Sequence, residues 1–162
     1  QKGQVTQDGL TGLNNRRRLD QYMWELDERS GERETCCYLL MDVNKFKKVN
    51  DTYGHVTGDE VLRLVAEQLK RTFGNMQAFL ARYGGDEFVV IVKGKTQDEM
   101  DVIIHQTQEN VNAIAWGADT PWQLSISIGC AMRGEQGKQK SHELLALADE
   151  RMYRQKKGIQ DR

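Results

Sequence analysis

Along this chain the apolar positions switch between helical and strand spacing. Leu19, Tyr22, Met23 and Leu26 share one helical face and predict a first helix. Before it runs a turn-rich stretch, Asp8-Gly9-Leu10-Thr11-Gly12-Leu13-Asn14-Asn15. Residues 36–41 are uninterruptedly apolar, the pattern of a strand buried on both faces, ending at Asp42. Residues 45–50 predict a short helix. Thr57 and Glu60 have capping-box spacing, so a long helix is expected to start there, with Leu62, Val65, Leu69 and Phe73 as its stripe. Residues 79–83 and 88–92 read as strands joined by a two-residue hairpin at Gly84-Gly85, where both glycines can take positive φ. Thr96 and Glu99 form a second capping box, ahead of a helix lined by Met100, Ile103, Ile104, Thr107, Val111 and Ile114. Trp122, Leu124, Ile126 and Ile128 alternate with Gln123, Ser125 and Ser127, so 122–128 predicts a half-buried strand. Ser141 is expected to cap a last helix with Leu144, Leu145, Ala148 and Met152 inward.

The predicted order is helix, then β-α-β-β-α-β with one extra helical piece, then helix. The inner elements match a ferredoxin-like split βαβ, an α+β sandwich whose central sheet contains antiparallel pairs, flanked by helices. That fold hosts many activities, so function must be argued from a site.

Composition narrows the classes. The chain has 162 residues, enough for one domain with a real core. Its 23 basic and 24 acidic residues leave a net charge of −1. Such a chain exerts no global pull on nucleic acid or anionic membrane, so no nucleic-acid partner is expected and an anionic ligand needs a local site. No apolar run approaches the roughly 20 residues of a membrane span, and no signal-peptide pattern opens the chain. A cytoplasmic domain is expected, with or without a membrane anchor elsewhere in a longer protein. Residues 1–7 read as the end of an upstream linker and 8–162 as the domain. The three cysteines, Cys36, Cys37 and Cys130, lack paired spacing and point to a reducing compartment rather than a disulfide framework. Cys36 and Cys37 read as small buried hydrophobes, and no His/Cys zinc pattern is present. Pro121 is the only proline, so Gly, Asn and Asp must build the turns.

The candidate chemistry is carboxylate chemistry. Asp42 ends a buried strand, and Asp86 and Glu87 sit at the hairpin tip. The split βαβ arrangement lays that strand beside the hairpin, which brings three carboxylates to one edge. Carboxylates that close repel unless protons or cations compensate. Hard divalent ions such as Mg2+ suit an oxygen-rich setting and often keep substrate phosphates as further ligands. Spacing alone leaves open a hairpin tip with solvated acids. Asp59, in a first helical turn, suits the helix dipole as well as a ligand, and Lys156-Lys157 suit a helix C-terminus equally. His55 reads as a turn residue.

Arg82-Tyr83-Gly84-Gly85-Asp86-Glu87-Phe88 contains the literal sequence Gly-Gly-Asp-Glu-Phe, and the chain resembles the GGDEF domain of diguanylate cyclases. The likeness extends further. Asp8-Gly9-Leu10-Thr11-Gly12-Leu13 with Asn15-Arg16-Arg17 resembles the family's opening motif. Met41-Asp42-Val43-Asn44-Lys45-Phe46-Lys47, ending in Asn50-Asp51, resembles its metal strand and following helix. Gly54-His55-Val56-Thr57-Gly58-Asp59 and Ala148-Asp149-Glu150-Arg151-Met152-Tyr153-Arg154-Gln155-Lys156 resemble its next and closing motifs.

The resemblance implies a nucleotide-cyclase or polymerase-palm core and an enzyme that joins two GTP into cyclic di-GMP with release of two pyrophosphates. It implies two Mg2+ ions per site, with Mn2+ able to substitute, held by Asp42, the Val43 carbonyl, Asp86 and Glu87. Asp86 would also help deprotonate the attacking 3′-hydroxyl, and Lys47 would stabilise charge on the phosphates. Phe46, Asn50, Asp59, Gly84, Gly85 and Lys156 would contact substrate, with Asn50 and Asp59 reading guanine and Lys156 binding phosphate. Because one domain holds one GTP, a homodimer is implied, under an upstream sensory domain. A catalytically inactive nucleotide-binding relay is the alternative. Three departures from the family pattern stand out: Asn44 replaces a second acid, Lys157-Gly158-Ile159 replaces Gly-Arg-Asn, and Asn75 and Ala78 replace the Arg and Asp of the product-inhibition motif. Inhibition through that upstream site is therefore not expected.

Overall fold

A computed structural model describes residues 5–29, 34–117 and 122–160. Pro121 and residues 1–4 of the expected linker lie outside them. Four strands, β1 (Cys36–Val43), β2 (Ala78–Arg82), β3 (Glu87–Lys93) and β4 (Ile126–Met132), form one sheet in the order β2-β3-β1-β4. Every neighbouring pair is antiparallel. Helices α1 (Arg16–Glu28), α2 (Phe46–Tyr53), α3 (His55–Phe73), α4 (Gln97–Asn112) and α5 (Ser141–Gln160) surround it, with a single 3-10 turn at Glu135–Gly137. This is the expected split βαβ core with an added helix at each end.

Strand alternation decides which helices cover which face. Cys37, Leu39, Met41 and Val43 of β1 point to the side packed by Val61, Val65 and Leu69 of α3 and Met100 and Val111 of α4. Cys36, Tyr38 and Leu40 point to the other, packed by Leu19 and Leu26 of α1 and Leu144, Ala148 and Met152 of α5. Covered on both faces, β1 is the apolar run its sequence predicts. Fully burying each large aliphatic side chain here contributes about 1.5–3 kcal/mol. Gly129 lets α5 lie directly on β4, since a Cβ there would sit 1.8 Å from the Ala148 carbonyl oxygen.

Several expectations are corrected. β1 does not stop at Asp42 but continues to Val43, because β4 still pairs there, Ile126 opposite Val43. α3 begins at His55, so Thr57 is inside the helix and caps nothing. Gly54, at φ 91°, turns the chain straight from α2 into α3 with no side-chain cap. The Thr96/Glu99 box is formed as expected. Ser141 is the first residue of α5, and its hydroxyl bonds Tyr38 and Asp27 rather than capping its own helix. Its amide is instead capped by the Asp27 carboxylate of α1 at 3.0 Å. β4 starts four residues later than the alternation suggests, at Ile126, the partner of Val43 at the end of β1. The hairpin is also longer than two residues: the Tyr83 amide bonds the Glu87 carbonyl at 2.8 Å, and neither Gly84 nor Gly85 has positive φ.

Candidate active site

The acids meet where β1 and β3 run out together. Asp42 pairs across the sheet with Glu87, and the Val43 amide donates to the Asp86 carbonyl at 3.1 Å. In β1, Asp42 lies two residues from Leu40 and four from Tyr38, so it shares their α1/α5 side of the sheet. There Lys156 of α5 donates to Asp42 Oδ1 at 2.8 Å, with both side chains largely sheltered. Burial, the Asp42 charge and a hydrogen bond shared with Asp42 push the Asp86 carboxyl up to about 6. Burial and the charges of Asp42 and Asp149 also raise Glu87, while Lys156 and Arg16 oppose them. The electrostatics are those of an acidic cluster short of positive charge.

Whether these residues fit a metal is a matter of donor chemistry. Three carboxylates and the Val43 main-chain carbonyl offer the hard oxygens that Mg2+ prefers, and the mutual repulsion is what a cation would relieve. The fit is incomplete as the protein stands. Among the described residues no three His, Cys, Asp or Glu side chains are already gathered into a coordinating group. Asp42 instead holds the Lys156 ammonium.

The hairpin that carries Asp86 is tied to the opening turn. Arg82 donates to the Gly85 carbonyl at 2.8 and 3.2 Å and to both oxygens of Asp8 at 3.2 and 3.3 Å. Burial works against the Asp8 charge, but hydrogen bonds from Thr11 and the Arg82 guanidinium hold its carboxyl below the usual range. Arg16 lies over the Tyr83 ring, 4.0 Å from its centroid. A cavity of about 570 Å³ opens beside this junction, between α1 and α5, and reaches Tyr83, Glu87 and Asp149. Phe46, Asn50 and Asp59 do not line it.

Those residues belong to α2 and α3. Asn50 Oδ1 is buried without a hydrogen-bond partner. Gly58 makes room for it, since a Cβ at 58 would lie 1.8 Å from that oxygen and 3.3 Å from Phe46. Asp59 is exposed on α3. Lys47 is not brought to the acids: it is 90% exposed and its ammonium holds Asp51 at 2.7 Å. That contact raises the Lys47 pKa. A Cβ on Gly84 would press on Glu87 Oε1 at 2.8 Å, whereas one on Gly85 would meet nothing.

The family model for the diguanylate cyclase GGDEF domain matches residues 5–162. The chain belongs to the GGDEF family. Curated relatives of this GGDEF domain include the probable diguanylate cyclase DgcI of Escherichia coli strain K12, 38% identical over 93% of this chain and 31% of that protein. The diguanylate cyclase DosC of the same strain is 34% identical over 93% of this chain and 33% of its own length. The chain thus spans about a third of these relatives. Among solved structures, the GGDEF domain of DgcB from Caulobacter crescentus, in complex with c-di-GMP, superposes with a TM-score of 0.83 at 30% identity, covering 98% of this chain and 94% of that one.

Sequence reasoning missed three parts of this GGDEF site. Arg82 does more than complete the motif: its part-buried guanidinium holds the Gly85 carbonyl and the Asp8 carboxylate. Gly58 as the seat of Asn50 left no local signal. Asn44 looked like a lost acid, but it is buried and clamps β1 to β4: its amide donates to Ser125 Oγ at 2.9 Å and its carbonyl accepts from Ser127 at 2.8 Å. An ionised aspartate has no donor for Ser125.

Proposed function

We propose that this domain condenses two GTP molecules into cyclic di-GMP with release of two pyrophosphates, in a Mg2+-dependent reaction. The observation that carries the reading is the meeting of Asp42 with Asp86 and Glu87 where β1 and β3 end, on the Gly-Gly-Asp-Glu-Phe hairpin. Asp42, Asp86, Glu87 and the Val43 carbonyl would hold the metal, which when bound neutralises the triphosphate for in-line displacement. Asp86, raised to about 6, is suited to take the 3′-hydroxyl proton near neutral pH. At Gly85 no atom of the chain lies where a Cβ would go, so the backbone is open to close approach by phosphate. Asp59 accepts from the N1–H and exocyclic amine of guanine, a donor pair that adenine lacks, and Asn50 offers its buried oxygen beside it. Lys156 moves from Asp42 to phosphate, and Lys47, exposed on α2, swings from Asp51 to the same charge. Each domain holds one GTP, so two protomers meet face to face. The family's motif pattern implies an upstream sensory region, the relatives' greater length leaves room for further domains, and the GTP substrate supports a cytoplasmic site.

Incubating the protein with GTP and Mg2+ and separating products by chromatography tests this. Cyclic di-GMP and pyrophosphate are expected, and neither from Asp42→Ala or Asp86→Ala variants that keep their circular dichroism. Full activity in either variant removes the acids from the reaction. A second reading, a GTP-binding relay without turnover, draws support from Lys156 and Lys47, which are both engaged with carboxylates. GTP binding with no product would select it.

A further inference from the structure

Cys37 and Cys130 are 93 residues apart in the chain, yet their sulfurs approach to 2.9 Å. Cys37 lies on β1 opposite Met132, and Cys130 lies on β4 opposite Leu39, so the two are diagonal neighbours on adjacent antiparallel strands. Both belong to the sheet face covered by α3 and α4. A disulfide needs the sulfurs at about 2.05 Å, and at 2.9 Å the two side chains already point at each other. We propose that Cys37 and Cys130 form a reversible redox site, oxidised by a peroxide to an intramolecular disulfide that clamps β1 to β4.

The two thiols are unequal, which gives the reaction an order. Cys37 is fully buried, while Cys130, on the edge strand of the sheet, is partly exposed. An oxidant therefore reaches Cys130 first. The hydrogen bond with Cys37 lowers the Cys130 thiol against burial and the charges of Glu135 and Asp101, and the Arg151 guanidinium, which also donates to the Cys130 carbonyl at 2.7 Å, adds to the lowering. The same hydrogen bond, together with burial, pushes the Cys37 thiol up, so it stays protonated as the resolving partner. The Cys130 thiolate attacks one peroxide oxygen, breaking the O–O bond, forming a sulfenic acid and releasing hydroxide. Cys37 sulfur then attacks the sulfenic sulfur, its proton leaves with the departing hydroxyl as water, and the S–S bond forms. Overall, two thiols and one hydrogen peroxide give one disulfide and two waters. A dithiol reductant reverses the state. Transient bonds of this kind are the form that disulfides take in reducing compartments.

Cys37 precedes Asp42 by five residues of strand, roughly 17 Å, so the clamp lies away from the acid cluster and acts on stability. The full chain would be treated with hydrogen peroxide, trapped with a thiol-blocking reagent and analysed by intact mass and peptide mapping. The expected result is loss of two hydrogens, a peptide linking Cys37 to Cys130, and a rise in melting temperature reversed by dithiothreitol. Cys130→Ser should abolish the link and the rise, and Cys36→Ser should keep both. Because Cys37 substitutions open a cavity in the core, the partly exposed Cys130 is the variant to read. Recovery of Cys130 as sulfinic or sulfonic acid with no cross-linked peptide, or linkage between chains only, would overturn the proposal.

Discussion

Replacing Lys156 with methionine should make the domain bind a divalent ion more tightly while it binds GTP less well. In the free protein the Lys156 ammonium sits 2.8 Å from Asp42, and the two side chains are 24% and 13% exposed. At an effective dielectric of about 20, unit charges that close attract by roughly 6 kcal/mol. Desolvation cancels most of this, and hydrogen bonds to charged groups typically net about 1.5–3 kcal/mol. A cation arriving at Asp42 must break this contact. With a quarter of the lysine wetted, the lower half of that range applies, about 1.5–2 kcal/mol. That corresponds to metal affinity about 10- to 30-fold tighter in the variant.

The assay is Mn2+ titration without nucleotide, with free Mn2+ followed by electron paramagnetic resonance. Wild type, Lys156→Met and Lys156→Arg would be compared, the last retaining the charge. GTP affinity, measured separately, should fall in Lys156→Met, because the phosphates lose a cation. Opposite signs for the two ligands are the diagnostic, since a lysine with only a structural role would weaken both. Unchanged or weaker Mn2+ binding by a folded Lys156→Met protein would refute the reasoning. Failure of every variant to bind Mn2+ would instead count against the metal site itself.

The raised Asp86 carboxyl predicts an inverted pH effect. Its folded value of about 6 lies above its ordinary 3.8, so the folded state keeps the proton longer. The stabilisation is present in acid and lost as pH rises through 6. In chelator, wild type should therefore lose stability across that window relative to Asp86→Asn, and parallel urea midpoints for the two would count against it. Gly58→Ala should weaken GTP binding without lowering the melting temperature: the new Cβ displaces Asn50, yet alanine favours the helix by about 1 kcal/mol. A fall in stability with GTP affinity intact would show that Gly58 serves packing alone. Asp59→Ser should erode the preference for GTP over ATP, because losing a hydrogen-bonded pair at a specific site can cost orders of magnitude. A mixed-substrate assay with parental selectivity would leave Asp59 as a helix-terminal acid.

Burial was legible in the sequence, but pairing was not. The alternation that begins at Trp122 is real, since Leu124 is buried and Trp122 packs against the same core. It still misplaces β4, because a strand lasts only as long as its partner, and beyond Val43 the chain turns through left-handed Lys45 into α2. The Thr57/Glu60 spacing failed for a related reason: Gly54 makes a sharper start possible two residues before it, and a capping pattern has no way to compete with backbone freedom.

The site divides along the same line. Asp42, Asp86 and Glu87 were readable because topology follows from element order, and a split βαβ forces β1 beside β3. The position of Lys156 was not. From sequence, a lysine near a helix C-terminus has sufficient reason in the dipole. What brings it to Asp42 is the register of α5 on β4, and that register depends on Gly129, where any Cβ would strike the Ala148 carbonyl. Eight residues of helix, about 12 Å, then carry the chain from Ala148 to Lys156. A bulkier residue at 129 would lift α5 and draw the lysine off the acid. A glycine on the sheet that touches none of the acids thus permits the close approach of the helix that carries Lys156 to Asp42.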